Sequence, residues 1–144
     1  MDKSVTNESS RSRPYHHGDL RNGLLEAARA ILEEEDLSQL TLRAVARKAG
    51  VSHAAPYRHF PNHEALLVEL SLEGFRELRE MVAEAAKVPG PESDRTAEIG
   101  SAYMRFVAQR SAVARLMFGG QLPNRDQFPV LGEAADAVGQ EISN

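Results

Sequence analysis

The chain has 144 residues, enough for one or two small domains, and 42% of them are hydrophobic, enough to bury a core. It contains no cysteine, which excludes disulfides and thiolate metal sites, and no apolar run approaches the roughly 20 residues of a membrane span. Met1 to His63 holds nine Lys or Arg against eight Asp or Glu together with all five histidines, whereas Glu64 to Asn144 holds eight against thirteen, so a polyanion is repelled by the second part and can meet only the first.

Residues 1–17 read as a polar tail without the apolar segment of a secretion signal, and the expected location is the cytoplasm. Asp19 is a candidate cap for a first helix whose buried face is Leu20, Leu24, Ala28, Ile31 and Leu32. The acidic run Glu33 to Asp36 opposes the macrodipole at its end and helps to stop it, and Leu37 to Leu40 connects onward. Thr41 then caps a second helix in which Leu42, Val45, Ala46 and Ala49 recur at the i, i+3, i+4, i+7 spacing of one apolar stripe, with Arg43, Arg47 and Lys48 elsewhere. Gly50 supplies the left-handed residue that ends this helix, Val51 tucks under the corner, and Ser52 is expected to cap a third helix that opens with His53, Ala54 and Ala55.

Pro61 and Asn62 break the chain and cap a long helix from His63 to Lys87, with Leu66, Leu67, Leu70, Phe75, Leu78 and Val82 inside. Pro89-Gly90-Pro91 ends it, and further helices are expected at about Asp94 to Gln109, Ala112 to Phe118 and Pro129 to Ile142. No segment alternates long enough to argue for a strand. The expected fold class is therefore all-α: an N-terminal three-helix bundle with a helix-turn-helix at 41–60, joined by a long helix to a helical C-terminal domain.

The stretch from Thr41 to Phe60 resembles the helix-turn-helix of the TetR/AcrR family of transcriptional regulators. That family's pattern is approximately Thr-x-Arg-x-Ile-Ala-x-x-Ala-Gly-Val-Ser-x-x-x-Leu-Tyr-x-His-Phe-x-x-Lys-Glu-x-Leu. Thr41, Arg43, Val45, Ala46, Ala49, Gly50, Val51, Ser52, Tyr57, His59, Phe60, Glu64 and Leu66 fill its places. The resemblance covers about Gly18 to Leu78, which divides the chain into a tail at 1–17, a DNA-binding domain at 18–78 and an effector and dimerisation domain at 79–144. The later stretch from Ala102 to Gly120, with Pro129-Val130-Leu131 and Ala134-Ala135, resembles the branch that carries a Trp-His-Gly motif.

The resemblance implies a ligand-responsive repressor that binds palindromic operator DNA. His53, Ala54 and Ala55 face base edges, the alanine methyls suiting thymine methyls and His53 able to donate or accept. Arg43 reaches a phosphate or a guanine, Thr41, Tyr57, His59 and His63 contact phosphates, and Arg58 touches backbone or base. Arg11 and Arg13 read as a solvated tail before a minor-groove arm. Tyr103, Phe106, Met117 and Phe118 are candidates to line a pocket for a small-molecule effector, although aromatic and Met side chains at helical spacing are more often plain core.

Three positions depart from the pattern. Pro56 stands where Leu is usual, removes an amide hydrogen bond from the first turns of the recognition helix and tightens its geometry, and His63 stands where a phosphate-binding Lys is typical, which makes that contact weaker and dependent on pH. The sequence also stops at Asn144, before the Trp-His-Gly segment and the helices that form the family's homodimer interface, so a largely monomeric chain is expected. The alternative reading is a helical protein-interaction module without productive DNA binding. An enzyme is disfavoured: His59 and His63 have the spacing of a zinc pair, but Phe60 replaces the general-base Glu and Pro61 breaks the helix that such a pair requires, so no metal or cofactor is expected.

Overall fold

Apolar side chains recurring at helical spacing, punctuated by Gly and Pro, give an all-helical chain. The computed structural model describes residues 19–122 and 125–143. Among these residues there is no strand, and the α-helices are α1 (Leu20–Glu34), α2 (Leu42–Ala49), α3 (His63–Ala85), α4 (Glu92–Gln109), α5 (Ser111–Phe118) and α6 (Pro129–Ser143). Single 3-10 turns occupy Leu37–Gln39, Ala55–Arg58 and Arg125–Gln127. The chain divides into two compact units, one ending at Leu66 and one beginning at Leu67, so the division falls inside α3 and earlier than the boundary after Leu78 read from the sequence.

In the first unit, α1 buries Leu24, Leu25, Ala27, Ala28, Ile31 and Leu32, while Leu20 is only half-buried. Asp19 occupies the N-cap position, yet its side chain makes no cap hydrogen bond. Asp36 does more than stop α1. Its carboxylate accepts from the Ser38 hydroxyl and, at 3.2 Å, from the Gln39 N–H, and so caps the Leu37–Gln39 turn. The Ser38 hydrogen bond is the main cause that holds the Asp36 carboxyl below its ordinary value. This cap is therefore present above the ordinary carboxylate range and is lost as pH falls through the lowered value.

Helix α2 forms as its sequence dictates. The Thr41 hydroxyl oxygen accepts from the Ala44 N–H at 3.0 Å, and Leu42, Val45, Ala46 and Ala49 are all buried. Gly50 adopts φ 76° and ψ 31°. The Gly50 N–H donates to the Arg47 carbonyl at 3.2 Å and the Val51 N–H to the Ala46 carbonyl at 3.0 Å, the paired bonds of a Schellman turn.

The segment after this turn differs from expectation. Ser52 was expected to cap an α-helix, but the recognition segment is the 3-10 turn Ala55–Arg58, with Ala54 at its N-cap and no side-chain cap hydrogen bond. The Ala55, Tyr57 and His59 N–H groups donate three residues back, to Ser52, Ala54 and Pro56, at 3.1, 3.2 and 3.0 Å. Pro56 explains the tightening. It has no N–H, so the bond from position 56 to the Ser52 carbonyl that an α-helix requires cannot form. One bond of α-helical span follows, from the Phe60 N–H to the Pro56 carbonyl at 2.8 Å, and Phe60 itself is fully buried beneath the Arg21 guanidinium, 5.6 Å from the ring centroid. Asn62 then caps α3, its side-chain oxygen accepting from the Ala65 N–H at 2.8 Å.

In the second unit, α3 buries Leu67, Leu70, Phe75, Leu78 and Val82. Gly74 lets α5 approach closely: a Cβ there would lie 2.8 Å from Val113 Cγ1 and nearer still to Met117 Sδ. Two ion pairs fix α3 to its neighbours, Arg110 Nε to Glu77 Oε1 at 3.2 Å and Arg79 Nε to Glu141 Oε2 at 3.0 Å. Helix α4 begins at Glu92 rather than Asp94, because the Pro91 carbonyl already accepts from the Asp94 and Arg95 N–H groups at 3.1 and 3.3 Å. The remaining helix ends fall within one or two residues of their expected positions, the usual range of fraying.

The two structural glycines respond differently to substitution. Gly50 has nothing within 4 Å of an added Cβ, so Gly50→Ala is opposed only by the left-handed backbone, at about 1–2 kcal/mol, and Gly50→Asn is tolerated better. At Gly74 the backbone is relaxed and the crowding is steric: Gly74→Ala is expected to overpack by about 1–3 kcal/mol against a gain of about 1 kcal/mol in helix propensity. Urea unfolding checks both, and a midpoint for Gly74→Ala at or above that of the parent would refute the close α3–α5 packing.

Candidate nucleic-acid interface

The residues singled out for nucleic-acid contact come from three local structures of the first unit: the start of α2, the recognition turn and the start of α3. Between them lies an open concavity of about 620 Å³ whose lining includes Leu40, Thr41, Arg43, Tyr57, Asn62 and His63. Several of its polar side chains are donors. The Thr41 oxygen is already used by the Ala44 N–H, which leaves its hydroxyl hydrogen to point elsewhere. Asn62 commits its oxygen to the Ala65 N–H and keeps its amide N–H groups. Arg43 and Tyr57 are exposed, Tyr57 at 56%, and no carboxylate is among the described lining residues. The N-termini of α2 and α3 both open at this rim, and their dipoles add to the preference for an anion.

Four of the nine expected contact residues, Thr41, Arg43, Tyr57 and His63, line this concavity. His53 and Ala54, just before the 3-10 turn, and Arg58, at its end, are exposed, and His59 is half-buried with its ring 6.2 Å from that of Phe60. Ala55 is a correction. It was expected to face base edges, but it is 5% exposed and belongs to the core, because the 3-10 turn rotates it inward together with Pro56. His63 is exposed as a residue, yet its Nε2 lies 2.7 Å from the Leu40 carbonyl oxygen in a part-buried hydrogen bond. The sequence carried no signal for that bond, which joins positions 23 residues apart. Asn62 was legible as a cap, but its place in the concavity was not.

The four effector-pocket candidates divide into two kinds. Phe106 and Met117 are fully buried in the second unit, Met117 against Gly74. Phe118 remains 50% exposed, with its ring edge-on to Phe75 at 5.4 Å and tilted against Tyr103 at 6.2 Å. The structure thus brings Tyr103 and Phe118 together and places Phe106 and Met117 in the packing beneath. Arg11, Arg13, His16 and His17 lie outside the described residues.

Residues 24–70 match the family described as bacterial regulatory proteins, tetR family. An uncharacterized HTH-type transcriptional regulator of Haemophilus influenzae is 30% identical over 98 residues, 67% of this chain and 48% of that protein. The nucleoid occlusion factor SlmA of Marinomonas sp. is 31% identical over 103 residues, 69% of this chain and 50% of that protein. The chain thus spans about half the length of these curated relatives. A solved structure of a protein with unknown function from Rhodococcus sp. RHA1 aligns with a TM-score of 0.72 and 35% identity over 88% of this chain and 65% of that one. Residues 24–70, with the turn at Gly50 at their centre, thus belong to the TetR family of bacterial regulatory proteins, and relatives of 30–35% identity extend the likeness beyond them.

Proposed function

We propose that this protein is a sequence-specific DNA-binding transcriptional regulator of the cytoplasm, acting as a ligand-responsive repressor of palindromic operators. The observation that carries the reading is the concavity itself: Thr41, Arg43 and Tyr57 converge as donors beside His63, without a carboxylate among the described lining residues and next to an exposed recognition turn. Donors of this kind position a duplex by its phosphates, and the adjoining turn presents His53, Ala54 and Arg58 to the major groove. The Ala54 methyl suits a thymine methyl, and His53 supplies a hydrogen bond to a base edge. His59, half-buried beside Phe60, reaches the backbone at the margin. No helix among the described residues is long and apolar enough to cross a membrane, and the reading assigns the chain no catalysis.

The repressor reading places a small-molecule effector in the second unit, near the exposed Phe118 and the half-buried Tyr103 of its aromatic cluster. Helix α3 runs unbroken from His63 in the interface to Ala85, through the boundary at Leu66 and Leu67, so an effector that biases α3 acts on the DNA-contacting end of the same helix. Such an effector must prefer the DNA-incompetent state, and reciprocity makes DNA weaken its binding by the same factor. Recognition of a palindrome needs two copies with half-sites roughly 34–36 Å apart, or a multiple of that spacing.

Arg43→Ala is expected to lower DNA affinity while leaving the urea midpoint near that of the parent, because Arg43 is an exposed residue. If Arg43 meets a phosphate, the loss is uniform across sequences and the salt slope falls by about 1; if it meets a guanine, the loss is confined to one position. Binding as tight as the parent's at about 150 mM salt would exclude both contacts. His53→Ala is expected to cost about 1–3 kcal/mol and relax preference at one or two base pairs, measured by selection from randomised duplexes. An unchanged selected sequence would show that His53 does not read a base.

A further inference from the structure

His63 is held on one side. Its Nε2 lies 2.7 Å from the Leu40 carbonyl oxygen, and a carbonyl only accepts, so Nε2 carries the hydrogen. The bond ties the first residue of α3 to the residue immediately before the Thr41 cap of α2, and so fixes two elements of the concavity relative to each other. The two nitrogens of an imidazole point to different sides of the ring, and among the described residues Nδ1 has no hydrogen-bond partner. A neutral ring held this way has spent its single N–H on Leu40 and presents a lone pair at Nδ1. A lone pair repels a phosphate oxygen, whereas the Nδ1–H of the imidazolium donates to it.

We infer that His63 is a positioning residue that latches α3 to the Leu40 carbonyl and contacts a DNA phosphate only in its protonated form, so that DNA binding by this protein takes up a proton. The inference rests on the DNA-binding reading above and adds its regulation by pH. The groups that surround His63 fit it. Arg43 is the fixed charge and Tyr57 the other titratable group that line the concavity with it, both potential donors to an anion. On its own helix Glu64 follows at once, and beyond the Leu37–Gln39 turn the Asp36 carboxylate is occupied by Ser38 and Gln39. A phosphate in the concavity would have Arg43 and His63 among its lining residues, with no carboxylate among the described lining residues to compete for the Nδ1 hydrogen. Because the complex favours the protonated ring, affinity is greatest at low pH and is lost as pH rises.

The full chain, bound to a duplex selected from a randomised pool, tests this between about pH 8 and about pH 6, the range in which imidazoles titrate. The parent is expected to bind about three- to tenfold more tightly at the lower pH, the size of one charge-assisted contact partly screened by solvent. His63→Gln keeps an N–H donor for Leu40 but carries no charge, so it is expected to bind like the parent at high pH and to lose this part of the pH dependence. His63→Lys keeps a cation at every pH and is expected to flatten the same part with tight binding retained. Any slope from His53 and His59 remains in all three proteins, so the differences between profiles isolate His63. Independently of DNA, the nitrogen chemical shifts of the histidine rings are expected to report the Nε2–H tautomer for neutral His63. A His63→Gln profile parallel to that of the parent overturns the inference while leaving DNA binding intact, and a neutral Nδ1–H tautomer overturns the latch. Absence of salt-sensitive binding at every pH overturns the DNA-binding reading and, with it, the phosphate contact.

Discussion

The turn at Gly50 is the constraint on which the interface depends. A helix of only eight residues, α2 has no length from which to draw stability of its own, and it is defined by its two ends: the Thr41 hydroxyl at the start and the paired bonds of Gly50 and Val51 at the finish. A left-handed residue at position 50 reverses the chain within one step. The apolar stripe of α2 can then remain in the core while the following residues emerge beside its exposed face. With an ordinary helical residue there, α2 would run on and the recognition segment would leave in another direction.

Pro56 governs what the recognition segment becomes. Without an N–H it forces bonds of three-residue span, and the tighter turn moves successive side chains through about 120° instead of 100°. The outcome is a division of labour among neighbours: His53 and Ala54 remain outside, Ala55 and Pro56 go into the core, and Tyr57 and Arg58 return to the surface. Phe60, fully buried under Arg21, closes the segment from below. The interface is thus shaped as much by what is anchored inside as by what is presented outside.

The second unit uses a different device. Its helices meet closely because Gly74 removes a side chain where Met117 and Val113 arrive, and the gap is filled by close-packed atoms. The ion pairs Glu77–Arg110 and Arg79–Glu141 are partly exposed and contribute little energy individually. Their effect is on orientation, since each joins α3 to another part of the unit at a specified residue. Ser71 is the buried polar residue of this unit, and its hydroxyl oxygen has no partner among the described residues, which marks a local departure from the otherwise apolar face of α3.

By itself, the sequence determined most features that depend on neighbouring residues, the side-chain caps expected of Asp19 and Ser52 being the exceptions. The apolar stripe of α2, the Thr41 and Asn62 caps, the left-handed Gly50 and the burial of Leu66, Leu67, Leu70, Phe75, Leu78 and Val82 all follow from spacing, capping chemistry and backbone sterics within a few residues. The family pattern was legible for the same reason, being a string of such local requirements. Tertiary structure decided the rest. That the tightening at Pro56 would withdraw Ala55 into the core depended on the balance between backbone bonds and core packing, which a pattern of residue types does not weigh. That His63 would reach Leu40 depended on two segments being brought together across 23 positions. Phe106 and Met117 became core while Phe118 and Tyr103 kept part of their surface, because the packing around Gly74, not residue type, determines which side of a helix remains uncovered.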